Sequence, residues 1–124
     1  MIDHISLGVS DLERGAAFYE AVLEPLGYRR LVERDTTVGF GKRYPEIWLN
    51  HRPGMAAMGD GPHVCLRART EEAVRDFHAR AVANGGRSDG EPGPRQAALT
   101  PYFGAFIRDL DGNKLEAASF PEAG

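Results

Sequence analysis

Apolar and polar residues alternate from Ile2 to Val9, the period-2 pattern of a β-strand, with Ile5, Leu7 and Val9 on one face and His4, Ser6 and Gly8 on the other. The period then changes. Leu12, Ala16, Tyr19, Val22 and Leu23 recur at helical spacing, Ser10 followed by Glu13 reads as a capping box, and Pro25 with Gly27 stops the run. The spacing predicts a helix of about 12 to 14 residues. Three short β-type runs follow, "YRRLVER", "TTVGFGK" and "EIWLN", separated by Asp35 and by the turn "RYP". The first half therefore reads βαβββ.

The same order returns. Laying residue n over residue n+59 matches His4 with His63, Leu7 with Leu66, Glu13 with Glu72, Phe18 with Phe77 and Gly27 with Gly86. "HVCLRAR" reads as a strand, Thr70 as a helix N-cap with Glu71 and Glu72 in the first turn, and Ala73, Val74, Phe77, Ala81 and Val82 as the apolar stripe of a helix ended by "NGG". Pro92, Gly93 and Pro94 make the next strand short, irregular or mobile. The strands "YFGAFIR" and "KLEAASF" flank "DLDGN", a strong hairpin-turn signal. The fold class is α+β: two tandem βαβββ modules, residues 1–51 and 62–120. They form open, curved mixed sheets, or half-barrels, with the helices outside, and a linker over 52–61, rich in glycine and small residues, joins them in one domain.

A formal charge of −3, without a cluster of lysines and arginines, removes the electrostatic footprint of a nucleic-acid binder. The apolar runs are too short for a membrane span. The absence of a basic leader or signal-type core, and the single Cys65, which reads as a small buried apolar residue, lead us to expect a cytoplasmic protein without membrane association.

The chemistry gathers on the strand faces turned away from the helices. His4 shares its face with Ser6, His63 shares the equivalent face with Cys65, and in the last strand Glu116 points opposite Leu115 and Ala117. A carboxylate inside an otherwise apolar strand is costly to bury unless a cation or hydrogen-bond donors meet it. If two half-barrels share an inner wall, His4, His63 and Glu116 form a set suited to Zn, Fe, Mn, Ni or Co, with coordination positions left for a substrate. The alternative is structural, because a lone strand histidine is more often a hydrogen-bonded core residue than a ligand.

The duplicated βαβββ order, the opening "DHISLGVSDLERGAAFYEAVLEPLGY", the "HVCL" start of the second module and the closing "FIRDLDGNKLEAA" resemble the vicinal oxygen chelate superfamily of glyoxalases, bleomycin-resistance proteins and extradiol dioxygenases. The resemblance covers almost the whole chain. It implies metal ligands at His4, His63 and Glu116, a small oxygen-chelating substrate and a homodimer. It also exposes a departure: "DLDGN" stands where the family has "DPDGN", and Trp48 stands at the residue that aligns with Glu116, where glyoxalase I is expected to carry a second glutamate that shuttles the substrate proton. Glu46, Asn50 and His51 are nearby, but none takes that place. The resemblance thus argues against a lactoylglutathione lyase and toward branches that resemble dioxygenases or metal-dependent thiol transferases.

Around the ligands we expect Trp48, Asn50, Phe106, Arg108, Ser6 and Cys65 to line a substrate pocket, with Arg108 meeting an anionic group. Glu116 and Tyr102 are the catalytic candidates, Tyr102 as a hydrogen-bond donor or acid. The competing reading is a metal-free protein of the same fold that sequesters an aromatic antibiotic or metabolite with Trp48, Tyr102 and Phe106.

Overall fold

The computed structural model describes residues 1–121. The first module runs β1 (Ile5–Val9), α1 (Leu12–Leu23), a single 3₁₀ turn (Glu24–Leu26), β2 (Arg29–Glu33), β3 (Thr37–Gly41) and β4 (Pro45–His51). The second runs β5 (Val64–Arg67), α2 (Glu71–Ala83), β6 (Arg87–Gln96), β7 (Pro101–Arg108) and β8 (Lys114–Ser119). Each module forms its own four-stranded sheet, ordered β1-β4-β3-β2 and β5-β8-β7-β6. In each sheet the first and last strands of the module pair in parallel and the other neighbours are antiparallel. The helix lies in the crossover that a parallel pair requires.

Alternation decides which side each helix covers. Leu7, Val9, Val38, Phe40, Ile47 and Leu49 are buried under the helices, as are Leu66, Phe103, Ala105, Ile107, Leu115 and Ala117. Phe18 and Phe77, equivalent in the repeat, are both fully enclosed in one core that spans the two modules. The helices also meet directly, where Arg80 Nη1 donates to Glu24 Oε2 at 2.8 Å and to the carbonyl of Ala21 at 3.2 Å.

The "DLDGN" turn is the second tie between modules. Gly112 takes the left-handed conformation, φ +87°, that the turn needs. Asp109, 4% exposed, accepts from the Asp111 and Asn113 amides at 2.9 and 2.8 Å, from Asn113 Nδ2 at 2.8 Å and from Tyr19 Oη on α1 at 2.5 Å. Asn113 Nδ2 also donates to the carbonyl of Gly8 on β1 at 2.9 Å. The entry to β8, which carries Glu116, is thereby fixed against the first module.

Several local expectations change. Asp11, not Ser10, caps α1: its carboxylate accepts from Arg14 N at 3.1 Å, while the Ser10 amide is taken by Asp111 Oδ2 of the distant turn. Thr70 caps α2 as expected. The repeat slips one residue where α2 ends, since Gly85 takes the positive φ that Gly27 has, and Gly86 instead packs under the Phe18 ring. Val82 is half exposed, and the buried stripe of α2 contains His78, whose Nε2 meets Ser88 Oγ at 2.8 Å. The strand β6 is irregular, as its prolines require, but it is ten residues long: being at the sheet edge, it tolerates Pro92 and Pro94 with two interruptions in its pairing to β7.

The linker is strapped down rather than free. Met58 packs on the core and Met55 lies against Gly8. Arg108 grips the rest: its Nη1 donates to the carbonyls of Gly59 at 2.7 Å and Gly112 at 2.9 Å, its Nη2 to Asp60 Oδ1 at 3.0 Å and its Nε to Asp89 Oδ2 at 3.0 Å. The expectation that Arg108 receives a substrate anion is therefore replaced. Its guanidinium is buried and spends four of its five N–H groups on its own chain.

Candidate metal centre

Strand register reveals where the repeat keeps and breaks its symmetry. Ser6 and Cys65 are equivalent in the repeat, and across the parallel pairs Ser6 lies beside Trp48 while Cys65 lies beside Glu116. Trp48 thus occupies the first module's counterpart of the carboxylate position. The half-buried indole spreads over Gly39, where an added Cβ would come within 2.9 Å of the ring. Asn50, two residues along the same face, accepts from Thr37 Oγ1 at 3.0 Å.

In the second module, Glu116 is 4% exposed. Its Oε1 lies 3.1 Å from His63 Nε2 and its Oε2 accepts from Tyr102 Oη at 2.6 Å. Gly104 makes this approach feasible, because a side chain there would press on both Tyr102 and Glu116. Phe106 meets the His63 ring edge-on at 5.4 Å between centroids, and Arg95 and Lys114 lie over Phe106 at 5.2 and 4.9 Å. Among the described residues no lysine or arginine is ion-paired with Glu116; its one charged-type partner is His63. A buried carboxylate met by an imidazole and a phenol, without a lysine or arginine, is a donor set that suits a borderline divalent cation.

Cys65 is exposed on the same face, not buried as its residue type suggested. Desolvation of its sulfur, with the charge and hydrogen bond of Glu116, pushes the thiol up to about 12, which favours the protonated form at neutral pH. Burial and the same carboxylate push Tyr102 to about 12. All four tyrosines titrate above their ordinary range: Tyr19 well above it through burial and Asp109, Tyr28 through burial, and Tyr44 through its hydrogen bond to Asp3. A raised folded pKa means that the protonated phenol stabilises the fold below pH 10 and that this contribution is lost as pH rises toward 12. Absorbance titration at 295 nm is therefore expected to show less tyrosinate near pH 10 than four free phenols would give, with Tyr19 and Tyr102 ionising only at higher pH. Normal titration of all four tyrosines in the folded protein would contradict this.

His4 stands apart from this pair. Its Nδ1 lies 2.7 Å from Asp3 Oδ1, and it opens on a cleft of about 190 Å³ between the modules, lined also by Tyr28, Glu46, Val64 and Cys65. Contact with His4 lowers the Asp3 carboxyl below its usual range, helped by Tyr44. Among the described residues, no three His, Cys, Asp or Glu side chains of one chain converge on a single ion position. The structure thus joins His63, Glu116, Tyr102 and Cys65, and leaves His4 on the other module's edge. Asp3 and Tyr44 escaped the sequence reading. The Asp-His dipeptide was a usable signal for the first, but nothing local marks a tyrosine in the β3–β4 turn.

Paired βαβββ modules, with helices on one side of each sheet and histidine and glutamate on the other, define the vicinal oxygen chelate fold. The chain belongs to the Glyoxalase/Bleomycin resistance protein/Dioxygenase superfamily, whose profile matches residues 1–117. It is similar to a glyoxalase/bleomycin resistance protein of Albidiferax ferrireducens, with 33% identity, a TM-score of 0.82 and coverage of 94% of this chain and 96% of that one. Its fold is also shared by the fosfomycin resistance protein FosX of Listeria monocytogenes, at 18% identity, TM-score 0.70 and coverage of 96% and 92%. A glyoxalase/bleomycin resistance/dioxygenase family enzyme of Burkholderia phytofirmans matches at 16% identity and TM-score 0.74, covering 97% and 98%. No curated protein matches the chain. No helix among the described residues is long and apolar enough to cross a membrane.

Proposed function

We propose that the protein binds a divalent metal ion through His63 and Glu116 of one copy and His4 of a second copy in a homodimer, and acts there on a small oxygen-chelating metabolite. The observation that carries this reading is the buried Glu116 carboxylate, held by His63 and Tyr102 with no lysine or arginine partner among the described residues. The placement of His4 on the other module, beside exposed Met1, Ile2 and Tyr44, favours completion of the set by a second chain.

A bound ion would supply Lewis acidity to two neighbouring oxygens of the substrate. Glu116 holds its place through Tyr102, whose phenol remains a donor at neutral pH. Phe106 fixes the plane of the His63 ring. Trp48 supplies an apolar wall where a second carboxylate would otherwise stand, so the first module has no base at that position. This favours chemistry that needs an open coordination site over the proton shuttle of glyoxalase I.

Isolated heterodimers test the shared site. With His4→Ala in one tagged chain and His63→Ala in the other, one site per dimer keeps all its ligands and the other loses both histidines. The heterodimer should therefore retain about half the zinc of the unmodified dimer, while each mutant homodimer retains none. A heterodimer as empty as its parents would overturn the sharing. Tryptophan quenching by an aromatic ligand that survives chelation would favour the metal-free reading.

A further inference from the structure

The two histidines of the repeat are held in opposite ways. His63 directs Nε2 at Glu116, whereas His4 directs Nδ1 at Asp3 Oδ1, 2.7 Å away. The second Asp3 oxygen, Oδ2, accepts from Tyr44 Oη at 2.8 Å. Asp3 therefore spends both oxygens, one on the imidazole and one on the phenol, which fixes its rotamer. Tyr44 reaches it from the β3–β4 turn, and that turn is tight: an added Cβ on Gly41 would sit 1.9 Å from the Tyr44 carbonyl oxygen. Parallel pairing of β4 with β1 brings the turn alongside the N-terminal segment. The repeat equivalent of Asp3 is Pro62, so the second module has no such arrangement.

A carboxylate only accepts hydrogen bonds, so the proton in the His4–Asp3 contact belongs to Nδ1. In a neutral imidazole the other nitrogen is then the lone-pair atom. We propose that Tyr44 and Asp3 form a positioning relay that holds His4 as its Nδ1–H tautomer and presents Nε2 as the ligand atom. The value of that tautomer rests on the metal reading above; the relay itself does not. Hydrogen-bonded partners on the far nitrogen of a ligand histidine set its orientation and raise its basicity, and their loss typically weakens metal binding by about 10- to 100-fold.

The test is a long-range ¹H–¹⁵N correlation spectrum of metal-free, ¹⁵N-labelled protein at a pH where His4 is neutral, with zinc titration of the same samples. The unmodified chain should show His4 as the Nδ1–H tautomer. Asp3→Ala should shift it toward Nε2–H, Tyr44→Phe should shift it less, and Asp3→Glu should recover part of the effect. Zinc affinity should fall about 10- to 100-fold in Asp3→Ala. Asp3 and Tyr44 are exposed, so the fold should survive these changes, and the remaining resonances will report on it. His4 found as the Nε2–H tautomer in the unmodified chain, or unmoved by Asp3→Ala, overturns the relay. A tautomer that responds as expected in a protein that takes up no zinc supports the relay and overturns the metal reading instead.

Discussion

Replacing Glu116 with glutamine is expected to weaken zinc binding by at least about a hundredfold while leaving thermal stability within about 1 kcal/mol of the original. The asymmetry follows from geometry. Glutamine has the same shape; its amide oxygen still accepts from Tyr102, and its amide nitrogen donates to His63 Nε2 once that ring changes tautomer. What disappears is the charge, and burial of a carboxylate without a lysine or arginine partner is itself costly. A residue kept for packing would behave in reverse, with stability falling and metal binding untouched. Isothermal titration with zinc beside a urea denaturation series separates the two, and a large loss of stability with unchanged zinc affinity would remove Glu116 from the site.

Arg108→Ala is expected to destabilise the fold by about 2 kcal/mol, because it removes a buried guanidinium and abandons the carbonyls of Gly59 and Gly112, while its carboxylate partners are exposed and contribute little. Asp60 is fully exposed and can return to water, and Asp89 keeps Lys114 at 3.3 Å, which holds the cost below that of stranding two charges. Against a total stability of about 5–15 kcal/mol for a domain, the loss is a sizeable share. The released linker should become the first site of proteolytic cleavage. Arg108→Lys should recover only part of the stability, since an ammonium cannot reach four acceptors in a planar fork. Equal stability of Arg108→Ala and the unmodified chain would contradict the role given to this residue.

The sequence told most where a property was local or periodic. The match of His4 with His63 and Phe18 with Phe77 announced two modules, and alternation placed Glu116 on the face away from the helix, while Trp48 was matched to it only through the family resemblance. It told less where a partner lies far along the chain. Ser10 and Glu13 have the spacing of a capping box, but the Ser10 amide is claimed by Asp111, about a hundred residues away, and Asp11 takes the cap. Arg108 looked available for an anion because nothing near it in sequence reveals that Gly59 and Asp60 fold over it. Prolines marked β6 as irregular, yet an edge strand can carry them without shortening. Within the site, the His63–Glu116 pair was readable from strand faces, whereas the separation of His4 depends on how the two sheets sit together.

If His63 and Glu116 belong to a metal site, the metal content of the unmodified protein will show it. Protein purified without chelator and dialysed against zinc should hold about one tightly bound ion per chain by elemental analysis, released by chelator and absent from His63→Ala. Protein that holds no zinc, iron, manganese, nickel or cobalt as purified, and takes up none on titration, would rule out a metal site at His63 and Glu116.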